Sequence, residues 1–332
     1  MPRNLLLGLL LALVGVAFAA PATAGLEIRR VDLGSYPQVR VLVVVPPGSE
    51  SAPVLRVQGS AAAGFSAENL GDQQGVALVI DRSQSMHGAT LRDAIRAAEV
   101  LIAAKPAPDQ ISVITAGSEA VSQAGFSSQA SDADAALTGL GVDPVRGTVL
   151  WDAVVLAAKS LRALGLPGRT VIMVTDGQET TSRATLDDAI AAAKAAGAAV
   201  YTVGIPDVTF DPGPLRRLAA ETGGRFYRAS SSAALPGIYS AIGAELRRTW
   251  RLEFDTAARP GDMLNLDVRD GGERAASSVR IPGSGSRSGG GSSFVLLSVA
   301  SLLALVAVVG VMLVVRSSTL LHGWSRRSPD EF

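Results

Sequence analysis

Three oxygen-bearing residues at alternate positions, Asp81, Ser83 and Ser85, follow directly on the apolar run of residues 76–80 (VALVI). A carboxylate and two hydroxyls in so tight a loop offer hard oxygen donors, which is what Mg²⁺ takes into its near-octahedral shell at about 2.0–2.1 Å. If the run is a strand of an open parallel sheet, the loop lies at its carboxyl end, where such sheets bind ligands. A plainer role is also open, because Asp and Ser accept bonds from the free N–H groups of a helix start, so Asp81 and Ser83 could cap the helix that follows. His87, two residues past Ser85, invites a Ser-His-Asp hydrolase, but no Gly-x-Ser-x-Gly elbow stands beside it. It reads as a solvent-facing residue at a helix start. Glycine pairs such as Gly223-Gly224 are not phosphate loops, since no Gly-x-x-x-x-Gly-Lys-Ser/Thr sequence occurs, and nucleotide binding has no support.

The elements that must position these groups follow from hydrophobic periodicity. Residues 75–247 alternate apolar runs with amphipathic or Ala-rich stretches, the pattern of a doubly wound, mostly parallel α/β sheet covered by helices on both faces. Strands are expected at 76–80, 111–115, 171–174 and 200–203. Leu91, Ala94, Ile95, Ala98, Leu101 and Ile102 share one helical face, and Pro106 with Pro108 stops that helix. Residues 150–164 and 186–196 read as helices ended by Gly165 and Gly197. The flanks differ in texture, with strands expected at 40–45, 54–57, 251–254, 264–268 and 278–281. Turn signals such as Pro46-Pro47-Gly48, Pro260-Gly261-Asp262 and Asp270-Gly271-Gly272 separate several of them. Two or three strands alone are marginal, so residues 25–74 and 248–282 are expected to pair into one small β-sandwich from which the α/β domain is inserted.

The Asp-x-Ser-x-Ser sequence after the first strand resembles the metal-ion-dependent adhesion site of the von Willebrand factor type A family, and the similarity runs over roughly residues 75–247. In that family a threonine from a later loop and an aspartate ending an apolar strand complete the site. Their counterparts here are Thr148, in the glycine-led RGTVLWD stretch, and Asp176, in VIMVTDG. The resemblance implies that Ser83, Ser85 and Thr148 touch the metal through hydroxyls, while Asp81 and Asp176 bind it directly or through water. Neutral hydroxyls leave the cation charge enough to attract an anionic oxygen, so a glutamate or aspartate of a protein partner would fill the open position. The implied cation is Mg²⁺, or Mn²⁺ or Ca²⁺ in its place. Taken singly, Thr148 could cap its own helix and Asp176-Gly177 could be a turn; five motif positions in family order favour the metal. Asp152 would either support the site by hydrogen bonding or favour the first turn of its helix.

The implied function is binding, in adhesion or in the assembly of a membrane complex, and not catalysis. A structural subunit of a secretion or pilus-type apparatus is the alternative reading, since type A modules followed by a membrane helix have a similar layout there. A metal-assisted hydrolase is remote, because beyond Asp81, Asp176 and His87 the motif loops supply few bases.

Composition narrows the field further. The 48% apolar and 18% charged residues predict a substantial core, and 30 basic residues balance 30 acidic ones, so no global field attracts nucleic acid. With no cysteine, disulfides, thiolate catalysis and Cys-based zinc sites are excluded. Residues 1–24 carry Arg3, an apolar stretch and a small-x-small end, Ala22-Thr23-Ala24, as a cleaved signal peptide does. Residues 294–315 hold no charge and are long enough for a transmembrane helix, preceded by a Gly/Ser linker at 283–293. Arg316, Arg326 and Arg327 after it, against Arg287 before it, put the 316–332 tail in the cytoplasm and the bulk of the chain outside a cell membrane.

Overall fold

The computed structural model describes residues 25–283 apart from 178 and 207–209; the expected signal peptide, transmembrane helix, tail and all but the first linker residue lie outside the described residues. Among the described residues no helix is long and apolar enough to cross a membrane.

Before residue 70 the chain forms β1 (Glu27–Ser35), β2 (Gln38–Val44), β3 (Val54–Val57), β4 (Ser60–Ala61) and β5 (Ala63–Asn69). In β2 the alternate Val39, Val41 and Val43 are fully buried while Gln38, Arg40 and Leu42 between them are only half-buried, the period-two pattern of a sheet with one face on a core.

Next come β6 (Gln74–Asp81), α1 (Ala89–Ala104), β7 (Gln110–Ala116), β8 (Ala120–Ser127), α2 (Ala130–Leu137) and α3 (Leu150–Leu164). They continue as β9 (Gly168–Thr175), α4 (Leu186–Ala196), β10 (Ala199–Gly204), α5 (Gly213–Thr222), β11 (Phe226–Arg228) and α6 (Leu235–Leu246). The six strands order as β11-β10-β9-β6-β7-β8, all parallel except the antiparallel edge strand β8. Every residue of the central β6 is buried because both faces are covered. Val76, Leu78 and Ile80 pack with α1, α2 and α6, while Ala77 and Val79 pack with α3, α4 and α5. Gly165 and Gly197 end α3 and α4 in the left-handed conformation, where a side chain is strained.

After α6 the chain returns as β12 (Thr249–Asp255), β13 (Met263–Asp270) and β14 (Glu273–Arg280). Two four-stranded sheets result, β1-β2-β12-β5 and β14-β13-β3-β4, each mixing strands from before and after the α/β unit. Their inward residues, among them Val41, Leu55, Phe254 and Leu266, form one apolar cluster. The strands expected at 40–45, 54–57, 251–254 and 264–268 lie within or within one residue of these elements. The strand expected at 278–281 is the end of a longer one that starts at Glu273.

The registers set the site. β6 pairs with β9 through Ile80↔Val174 and with β7 through Asp81↔Ala116, so the chain leaves all three strands at one carboxyl edge.

Candidate functional site

Asp81 ends β6 fully buried, and its carboxylate is held from two sides. Its Oδ1 accepts the Ser83 amide at 2.8 Å, which curls the loop back on itself, and its Oδ2 accepts the Thr175 hydroxyl at 2.5 Å. The Ser83 and Ser85 hydroxyls lie 3.0 Å apart, and the Ser85 hydroxyl donates to Asp176 Oδ1 at 2.8 Å. Asp81, Ser83, Ser85 and Asp176 are thus linked in one hydrogen-bonded group, with Ser85 exposed and the other three buried.

Gly177 keeps the space beside them open. A Cβ built there would stand 3.2 Å from Ser85 Oγ, 3.8 Å from Asp81 Oδ2 and 4.0 Å from Ser83 Oγ, so three of the oxygens surround one point.

The helix-capping roles considered for Asp81, Ser83 and Thr148 are not the ones the structure gives them. The α1 N-cap is Gly88, without a side-chain bond, and the 3-10 turn at Gln84–Met86 takes no cap from Ser83. Val149, not Thr148, is the N-cap of α3, again without a side-chain bond.

Thr148 is placed differently from the other four. It is buried and bound through its backbone to the loop that follows Asp176: its amide donates to Thr180 Oγ1 at 2.9 Å, and its carbonyl accepts the amides of Thr180 and Thr181 at 3.0 and 3.3 Å. No hydrogen bond joins its hydroxyl to the other four residues among those described. Asp152 accepts the Arg183 and Ala184 amides at 3.0 and 2.8 Å, so it supports that loop. His87 is exposed, just ahead of α1, with Nδ1 3.1 Å from the Gln84 carbonyl.

Three residues that shape the site had not been assigned from sequence. Thr175 was visible only as part of Thr-Asp-Gly. Asp143 clamps the loop after β7: its carboxylate accepts the Ser118 amide and hydroxyl and the Val145 amide, each at 2.9 Å, while its own amide donates to the Arg82 carbonyl at 2.7 Å. Glu179 spans from the loop after β9 to the start of α3, accepting the Leu150 and Trp151 amides at 2.6 and 3.2 Å.

The donor chemistry fits a hard divalent cation. Burial pushes the Asp81 carboxyl above its usual range, opposed by the bonds from Thr175 and Ser83 and reinforced by the charge of Glu179. No ion pair among the described residues relieves that charge, and a bound cation would. Among the described residues no three His, Cys, Asp or Glu side chains cluster, so a cation here would draw on hydroxyls as well as carboxylates.

Several solved structures resemble the fold. An aerotolerance-related membrane protein from Bacteroides fragilis is 23% identical, with a TM-score of 0.44 over 52% of this chain and 98% of that one. A von Willebrand factor type A protein from Catenulispora acidiphila is 13% identical, with a TM-score of 0.48 over 77% and 70%. Proximal thread matrix protein 1 from the mussel byssus, with a zinc-occupied adhesion motif, is 17% identical, with a TM-score of 0.47 over 59% and 50%. No curated protein matches the chain. The family model of the von Willebrand factor type A domain matches residues 76–241, half of the 332 residues, from the first residues of β6 into α6. The chain is a member of the von Willebrand factor type A family.

Proposed function

We propose that this protein is a binding module that holds a divalent cation at Asp81, Ser83, Ser85, Thr148 and Asp176 and uses it to grip an acidic side chain of a protein partner. The observation that carries the reading is the hydrogen-bonded group of Asp81, Ser83, Ser85 and Asp176, three of whose residues surround the point that Gly177 leaves open. The serines and Thr148 are not spent on helix capping, and Ser85 faces solvent, where a partner can reach it. The cation would present an open coordination position to an anionic oxygen, its hydroxyl ligands being neutral; Mg²⁺ suits the oxygen set, with Mn²⁺ or Ca²⁺ as substitutes.

In this reading residues 25–74 and 248–282 form a β-sandwich domain that carries the 75–247 domain as an insertion. The shared apolar cluster of the two outer sheets supports that division. Residues 294–315 fasten the protein in a cell membrane with the binding module outside, where it serves adhesion or the assembly of a membrane complex. The test is calorimetric titration of the full chain with Mn²⁺ and Mg²⁺. Binding that Asp81→Ala abolishes is expected; no binding by the unmodified protein, or binding indifferent to that substitution, sinks the reading.

A further inference from the structure

Glu179 accepts five hydrogen bonds, three from its own loop and two from the first turn of α3. Its Oε2 takes the amides of Leu150 and Trp151 and the Ser182 hydroxyl, the last at 2.7 Å; its Oε1 takes the amides of Thr181 and Ser182 at 2.9 and 2.6 Å. The free N–H groups of a helix's first turn are normally satisfied by the residue just before it. At α3 that residue is Val149, which cannot do so, and a carboxylate 29 residues further along the chain takes over the task for Leu150.

The brace is reciprocal. Asp152, in the first turn of α3, accepts two amides from residues 183–184, while the Thr148 backbone exchanges bonds with Thr180 and Thr181. It also has no slack: Gly147 sits at φ +140°, and a Cβ there would stand 2.9 Å from Thr181 Oγ1 and 3.3 Å from Ser118 Cα.

These contacts bear on a problem the site itself leaves open. Asp81, Ser83, Ser85 and Asp176 hold one another through side chains, whereas Thr148 is fixed only through the backbone of its loop. A ligand set must be held to within about half an ångström to select its cation. We infer that Glu179 is the positioning residue of the site, locking the Thr148 loop onto the loop after Asp176 so that the threonine oxygen completes the set. The inference rests on the cation-binding reading above.

A double-mutant cycle on Mn²⁺ affinity, measured by calorimetry on the full chain, tests it with Glu179→Ala, Glu179→Gln, Thr148→Ala and the Glu179→Ala/Thr148→Ala pair. Supporting groups of a metal site are typically worth 10–100-fold in affinity. Glu179→Ala is expected to weaken Mn²⁺ binding by about that factor. Glu179→Gln, which keeps an accepting oxygen but loses the charge, should fall between. The paired variant is expected to bind no more weakly than Thr148→Ala alone, because a residue that acts through Thr148 has nothing left to position. Circular dichroism and thermal unfolding without metal separate this from plain destabilisation. Should Glu179→Ala and Glu179→Gln lower only the melting temperature, or should the two losses of affinity simply add, the assignment is overturned while the metal site stands. Glu179→Gln, nearly the same shape as the native residue, carries the test if the alanine variant does not fold. Failure of the unmodified protein to bind Mn²⁺ overturns both readings.

Discussion

Gly177 shows how much one missing methyl group can matter. A side-chain carbon there would stand beside Ser85 Oγ, Asp81 Oδ2 and Ser83 Oγ, crowding the oxygens that the proposed function assigns to a cation. Gly177→Ala should therefore lower Mn²⁺ affinity by about tenfold or more, a loss of the order seen when supporting groups of metal sites are altered. Titration calorimetry reads the affinity, and an unchanged far-ultraviolet spectrum would show that the fold survives. Asp143 offers a test by pH. Burial pushes its carboxyl up, but bonds from the Ser118 and Val145 amides and the Ser118 hydroxyl outweigh burial and hold it below its ordinary value. A depressed folded-state value means the stabilisation is present above the unfolded value of about 4 and is lost as pH falls through the folded one. Asp143→Asn should thus cost about 1–3 kcal/mol in urea unfolding at pH 7, with the difference from the native chain shrinking below about pH 4. At this scale the sequence was legible where chemistry is local. Asp81, Ser83 and Ser85 lie in one loop, and Asp176 ends an apolar strand. Asp143 and Glu179 were not legible, since most of what they hold is backbone amides, some of them in distant segments, and backbone amides carry no signature in a sequence.

Among the elements, α6 carries the most consequential side chain outside the site. Glu245, one residue before its end, is buried and accepts Arg29 Nη2 of β1 at 2.6 Å and the Tyr201 hydroxyl of β10 at 2.8 Å, with Arg225 Nε at 3.4 Å. Tyr201 is itself buried, and its hydroxyl is held far above its ordinary range by burial and by the neighbouring charge of Glu245. Without Glu245 the buried Arg29 guanidinium keeps only the half-exposed Glu27 carboxylate at 3.4 Å, so Glu245→Ala should destabilise by about 3 kcal/mol in chemical denaturation. Tyr201→Phe, which deletes one bond, should cost about 1 kcal/mol. The elements themselves were readable in proportion to their burial. β6, β9 and β10 carry apolar runs through their middles because helices cover both their faces, and α3 and α4 are bounded by glycines at their ends. β1, β5 and β8 are edge strands with polar, small and half-exposed residues, and what makes them strands is the hydrogen-bonding partner beside them. No periodicity in EIRRVDLGS or AGFSAEN announces that partner.

Across the whole molecule, the α/β unit joins the outer sheets through two stretches of backbone, Leu70–Gln73 on the way in and Arg247-Arg248 on the way back. Both are fixed by contacts. Arg247 Nη1 pairs with Asp109 Oδ2 at 2.7 Å, and Arg248 Nη1 donates to the Val45 carbonyl at 2.6 Å. Gly71 lies so close to Arg247 that a Cβ would fall 2.5 Å from its carbonyl oxygen. Gly71→Ala must then push two segments of backbone apart, and a loss of about 1–3 kcal/mol in thermal or urea unfolding is expected. The same closeness has a consequence for how the chain is assembled. β5 and β12 are antiparallel neighbours in which Asn69 faces Trp250, so the outgoing and returning chains stand side by side at adjacent rungs of one ladder. If everything between those two residues were cut out and replaced by a two-residue reverse turn, β5 and β12 would become an ordinary hairpin and neither outer sheet would lose a strand. The α/β unit is seated like a cartridge in its socket: under the proposed function, what would reach a partner could be exchanged without redesigning what carries it.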